Sequence, residues 1–272
     1  MTTTPQTEGG PPPPPPASED SCAISEATLT PVAPPRWGFW GTCAWGVAAL
    51  AAFYVAQVLA VMGLLLWWSF GHAIDPDEFR RLSSSAVVVG ATTLTSLPLT
   101  LLVLALAARL ARVRLIDYFA LYPIGPRTAL FAVVCALAYG ALMSAIAYAL
   151  GHPMLSPFVV VLYATARESG TLWLVLVAVV VAAPITEESL FRGFLFRGWA
   201  GSRLGVVGAI ALTSIIWAAM HAQYDWLGVT EILGLGLLFG WLRYRSGSLL
   251  TTLLMHAVYG LAAIIQVAVF TG

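Results

Sequence analysis

The chain has 272 residues, 59% of them hydrophobic and only 10% charged, with a mean hydropathy of +0.85. Its 13 basic residues, all Arg, balance 13 acidic ones. That composition excludes an ordinary soluble domain, and zero net charge gives no reason to expect a nucleic-acid partner.

Residues 1–36 are rich in Pro, Thr, Ser and Glu, with six consecutive prolines at Pro11–Pro16. Such a segment cannot bury a core, and it is predicted to be a disordered tail. It lacks the basic start and short apolar run of a signal peptide. Residues 37–272 read as a polytopic membrane domain. Apolar segments fall at about Thr42–Trp68, Ser85–Ala108, Ala129–Leu150, Thr171–Leu195, Gly205–Ala222, Gly228–Tyr244 and Leu249–Phe270. Each must be helical, because backbone facing lipid has to satisfy its own hydrogen bonds. The expected fold is an all-α bundle of about seven transmembrane helices. An eighth would be added if the shorter apolar piece Met154–Ala166, which contains Pro157, crosses rather than lying at the interface.

Arginine placement sets the topology. Arg36, Arg109, Arg112, Arg114, Arg127, Arg192, Arg197, Arg203, Arg243 and Arg245 fall on one side, against Arg80, Arg81 and Arg167 on the other. This bias predicts a cell-membrane protein with a cytoplasmic N-terminus and, for an odd number of spans, an outer C-terminus. Of the three cysteines, Cys22 lies in the tail and Cys43 and Cys135 in apolar runs, so no disulfide is expected. The ten tryptophans cluster near span ends, as an aromatic belt would.

The fourth segment carries Glu187, Glu188 and Arg192. A charge at bilayer depth costs at least about 2.5–3.5 kcal/mol, so three in succession need partners. Glu188 and Arg192 are i,i+4 neighbours and can neutralise each other. Glu187 points about 100° further round the helix and is left for chemistry. Of four histidines, His72 and His152 lie in loops, whereas His221 and His256 lie in spans.

These groups suit water activation. A carboxylate in a low-dielectric pocket can act as a general base; one histidine can orient the water and another can donate to the oxyanion. Two imidazoles and a carboxylate also form a known zinc set, and spacing alone does not choose between these readings. The chain has no His-Glu-x-x-His, Gly-Asp pair, Gly-x-Ser-x-Gly, Walker motif or Gly-x-Gly-x-x-Gly. One geometric tension remains. Counting the rise from helix ends puts Glu187 roughly 16 Å, His221 roughly 25 Å and His256 roughly 10 Å from the inner side. They meet only if the fifth helix is tilted or begins with an interfacial stretch near Gly201–Val207.

The series Glu187-Glu188-Ser-Leu-Phe-Arg192, then Trp217-Ala-Ala-Met-His221, then His256 in the final span, resembles the CPBP family of intramembrane proteases. This abortive-infection family includes the type II CAAX prenyl endopeptidases. The resemblance covers about residues 171–260, the expected catalytic core. It implies that Glu187 is the catalytic glutamate, that His221 and His256 are the catalytic histidines, and that Glu188 and Arg192 are supporting residues. Two positions depart from the family pattern: Trp217 stands where Phe is usual, and Gly260 where Asn often follows the last histidine by four residues. Gln223 and Tyr259 are the nearby candidates to replace that Asn.

The implied function is hydrolysis of a peptide bond in a membrane-embedded or lipidated substrate. The alternative, favoured only by Gly260, is a catalytically weak or inactive membrane scaffold or bacteriocin self-immunity protein of the same fold. A proton-coupled transporter would leave both histidines unexplained and should show internal repeats, which are absent. No cofactor is assigned; if zinc is present, its ligands are Glu187, His221 and His256. A metal-independent glutamate mechanism is the expectation, because hydrogen bonds of about 2.6–3.2 Å ask less of the geometry than metal bonds of about 2.0–2.2 Å.

Gly236-x-x-x-Gly240 suggests a close helix approach, and Glu231 lies at an interface or lines a cavity.

Overall fold

A computed structural model describes residues 37–70 and 85–271. The expected N-terminal tail with Cys22 and Arg36, and the loop residues His72, Arg80 and Arg81, lie outside them. The described residues form helices α1 (Gly38–Trp68), α2 (Ala86–Leu110), α3 (Leu115–Tyr118), α4 (Pro126–Ala149) and α5 (Pro157–Glu168). They continue as α6 (Leu172–Ala200), α7 (Gly205–Ala219), α8 (Trp226–Ser246) and α9 (Leu249–Thr271). No strand occurs among them.

Six helices, α1, α2, α4, α6, α8 and α9, are long and apolar enough to cross a bilayer, so this is a multi-pass membrane protein. The fifth predicted segment forms a shorter helix. α7 has 15 residues and ends at Ala219, leaving His221 in the turn beyond. At 1.5 Å per residue it is about 22 Å long, less than the roughly 30 Å hydrocarbon layer. The Met154–Ala166 piece becomes α5, 12 residues starting at Pro157 and packed on α2, α6 and α9. Proline suits that first position, where no helical partner awaits its missing N–H.

α6 is the central helix. It packs against α1, α2, α5, α7, α8 and α9, and half of its most apolar window is buried, against 17% for α1 and α4. It is also irregular, widening into π turns at Ala178–Ala182 and Ser189–Leu195. Pro184 accounts for the first: it has no N–H, and its ring crowds the carbonyl one turn back. The second directly follows Glu188. Single π turns occur often at functional sites because they redirect side chains within a continuous helix.

The Arg-rich ends meet at one end of the bundle, as the charge bias implies for segments sharing a side. Arg197 at the end of α6 donates to the carbonyls of Asp117 and Tyr118 in α3. The α8–α9 turn is held by the same linker: Leu249 N–H donates to Ala120 O at 2.9 Å, and Ser248 Oγ donates to Tyr122 O. Ala120 accordingly adopts a left-handed backbone, φ 51°, which a non-glycine residue rarely accepts. On the outer side of this linker, the hydrogen bond from Arg114 holds the Asp117 carboxyl below its usual carboxylate value. Arg192 was counted with these basic ends but lies fully buried in the core.

Candidate active site

The depth tension resolves at the α6–α7 turn. Residues 201–204 form that turn, so positions equally far from it face each other. Glu187 lies 13 residues before Ala200, and Trp217 lies 12 residues after Gly205. Their side chains meet: Trp217 Nε1–H donates to Glu187 Oε2 at 2.6 Å. His221, one turn further, is fixed through Nδ1 to the Trp217 carbonyl at 2.8 Å. His256, two turns into α9, reaches the same indole, and the α8–α9 turn before it is tied to the α2–α4 linker.

Trp217 is the hub. Its ring lies 5.2 Å from the His221 ring and 5.5 Å from the His256 ring, edge to face in both cases. The Arg192 guanidinium sits 4.5 Å from the indole centroid on another side. The indole therefore touches Glu187, both histidines and Arg192, and it is only 1% exposed.

The two glutamates divide as the helical geometry predicts. Glu188 is fully buried and its Oε1 accepts from Arg192 Nη1 at 3.0 Å. The same oxygen lies 3.0 Å from His256 Nδ1. Arg192 also donates from Nη2 to the Gly236 carbonyl of α8 at 3.1 Å and lies 5.2 Å from the Phe239 ring centroid. A buried charge pair needs such further bonds to offset its desolvation. Glu187 is only half-buried.

Both histidines thus present Nδ1 to an acceptor, a carbonyl for His221 and a carboxylate for His256. In the neutral imidazole the proton then sits on Nδ1, leaving the lone pair on Nε2. Gln223 and Tyr259, the sequence candidates to replace the family's Asn, do not hold either histidine ring. Gln223 is exposed, and the Tyr259 hydroxyl donates instead to Glu231 of α8. Sequence reading treated Trp217 as an aromatic swap and missed its bond to Glu187. The available signal was an indole N–H one helical turn before His221.

Gly260 has a packing role. A side chain there would meet Val179 Cγ1 at 3.1 Å and the Val179 carbonyl at 3.2 Å, in the first π turn of α6. Gly236 and Gly240 likewise let α8 approach Ser214 and Ile210 of α7, the close contact that their spacing suggests.

Zinc would need Glu187, His221 and His256 to converge on one ion. The histidine Nδ1 atoms are held by acceptors, as an outer shell requires. Among the described residues, however, no group of three or more His, Cys, Asp or Glu side chains is close enough to hold a metal. The arrangement as it stands does not fit a zinc site.

No solved structure matches the chain. An uncharacterised 24.3 kDa protein of Escherichia coli is similar, 33% identical over 102 residues, which is 37% of this chain. The chain spans about half the length of that relative, 46%. Residues 169–262 match the family described as type II CAAX prenyl endopeptidase Rce1-like, the kinship that the three motifs resemble, and that stretch carries Glu187, Glu188, Arg192, His221 and His256.

Proposed function

We propose that the protein is a CAAX-protease-like intramembrane endopeptidase in which Glu187 activates the attacking water. The observation that carries this reading is the convergence of Glu187, His221 and His256 around the Trp217 indole, from α6, the turn after α7 and α9 respectively. Trp217 holds Glu187 Oε2 and leaves Oε1 outside that bond to take a proton from water. His221 Nε2 is the nitrogen not engaged by its anchor, suited in the neutral form to accept the other hydrogen of that water. Donation to an oxyanion requires Nε2 to be protonated. His256 is the better donor, because an imidazolium there rests against the Glu188 carboxylate. Glu188 and Arg192 position His256 and do not themselves meet substrate.

The catalytic core lies at about residues 171–260, within a membrane domain beginning near residue 37. The substrate is a membrane-embedded or lipidated peptide. The protein lies in the cell membrane with its Arg-rich ends, and hence its N-terminus, in the cytoplasm. The non-proteolytic alternative rested on Gly260 alone, and close packing on Val179 gives that residue another reason.

The test is cleavage of a prenylated peptide by purified protein in lipid, beside a Glu187→Gln variant. The variant should lose at least about 10²–10⁴-fold in rate, the usual contribution of a general base, while folding normally. Equal rates would reject the assignment.

A further inference from the structure

A cavity of about 500 Å³ lies between α4, α8 and α9 and is lined at one end by the α4–α5 connection. Glu187, His221 and His256 do not line it. Its walls are largely apolar, with Met143, Leu227 and Ala262 among them, and it falls in the usual size range for small-molecule sites. Among the described residues no arginine lines it, and the chain has no lysine.

Most polar groups at its wall already serve each other. Gln266 Nε2 donates to Ser144 Oγ at 3.1 Å. Asp225 caps α8 by accepting from Gly228 N–H at 2.9 Å, and its other oxygen lies 3.3 Å from His152 Nε2. The Tyr139 hydroxyl donates to the Glu231 carbonyl at 2.8 Å. The Glu231 carboxylate differs. Its Oε1 accepts from Tyr259; among the described residues no arginine lines the cavity to meet it, and His152 pairs with Asp225 instead. A carboxylate facing a largely apolar cavity is costly unless a function retains it. The Tyr224 and Tyr259 rings at the same wall offer the faces to which organic cations are drawn.

We propose that this cavity binds an amphipathic cation, an ammonium or guanidinium on an apolar stem, with its charge at Glu231. The cavity adjoins the candidate active site. Tyr224, in its wall, stacks on the His221 ring at 6.0 Å, and Tyr259 follows His256 by three residues. The occupant is therefore a basic side chain of the substrate near the scissile bond; this last identification rests on the peptidase reading, whereas the site itself does not.

The probes are 4-phenylbutylamine and 4-phenyl-1-butanol, which share a stem and differ in charge. Their binding is measured by calorimetry on purified full-length protein in lipid nanodiscs, with empty nanodiscs subtracted. The amine should bind the wild type at least about tenfold more tightly than the alcohol, the ratio that 1.4 kcal/mol provides. Glu231→Gln should abolish that preference, and Ala262→Phe, which fills the cavity, should abolish amine binding. Equal binding of the two probes to wild type, a preference surviving in Glu231→Gln, or undiminished binding in Ala262→Phe would each overturn the site. Should Glu231→Gln fail to fold, the wild-type comparison and Ala262→Phe still decide. Absence of Glu187-dependent hydrolysis alongside an intact amine preference would reject only the peptidase reading.

Discussion

Trp217 donates its indole N–H to Glu187 Oε2 at 2.6 Å, while its own carbonyl holds the His221 ring at 2.8 Å. One residue thereby orients both the carboxylate and a histidine. A phenylalanine at this position would keep the ring contacts and lose the donor.

Trp217→Phe should therefore lower kcat about 10–100-fold with little change in KM. That range corresponds to removing a hydrogen bond to a charged group, worth about 1.5–3 kcal/mol. Trp217→Ala should instead cost about 3–5 kcal/mol of stability, because it empties a fully packed site. Steady-state kinetics beside thermal unfolding separates the two effects. An unchanged kcat in the Phe variant would show that the bond has no catalytic part.

Glu188→Ala should destabilise the fold by about 3–5 kcal/mol, since it strands the buried Arg192 and releases His256 Nδ1. Arg192→Lys should fail as well. A lysine cannot bond Glu188 and the Gly236 carbonyl from two nitrogens while lying flat on Trp217. Denaturation in mild detergent reads both. Normal folding of either variant would refute the buried pair as the internal prop of the site.

Gly260→Asn, the change that restores the more usual family residue, should reduce stability and gain no activity. Its Cβ alone would press on Val179 at 3.1–3.2 Å. The penalty should be of the overpacking size, about 1–3 kcal/mol. Increased cleavage by this variant would revive the idea that an amide at this position serves the oxyanion.

Hydrolysis should persist in the presence of a strong chelator, because the donor groups do not converge as a zinc set would. Elemental analysis of active protein checks this directly. One stoichiometric zinc, lost together with activity, would mean that the three side chains close around an ion in the working state.

The Glu188–Arg192 pair was legible in the sequence because it is local, fixed by a spacing of four. That Glu187 points away from this pair was legible for the same reason. Six long spans could be read from apolar length, but the shortness of α7 could not. Its apolar run continues to Ala222 while the helix stops at Ala219, and hydropathy does not register a turn. The contacts of Trp217 and the tie from His256 to Glu188 join distant helices, and no single-segment pattern encodes them. Tyr259 pairs with Glu231 for the same unseen reason. Counting from separate helix ends does not show which positions meet, whereas the α6–α7 turn sets Glu187 against Trp217.

The clasp between the α2–α4 linker and the α8–α9 turn has a consequence for evolution and engineering. The turn that leads into His256 is held by hydrogen bonds to the carbonyls of Ala120 and Tyr122, residues some fifty positions upstream of the family-matched stretch. The motif-bearing segment does not contain its own footing. A transplanted 169–262 fragment would carry every reactive group and lack the floor on which the last of them stands.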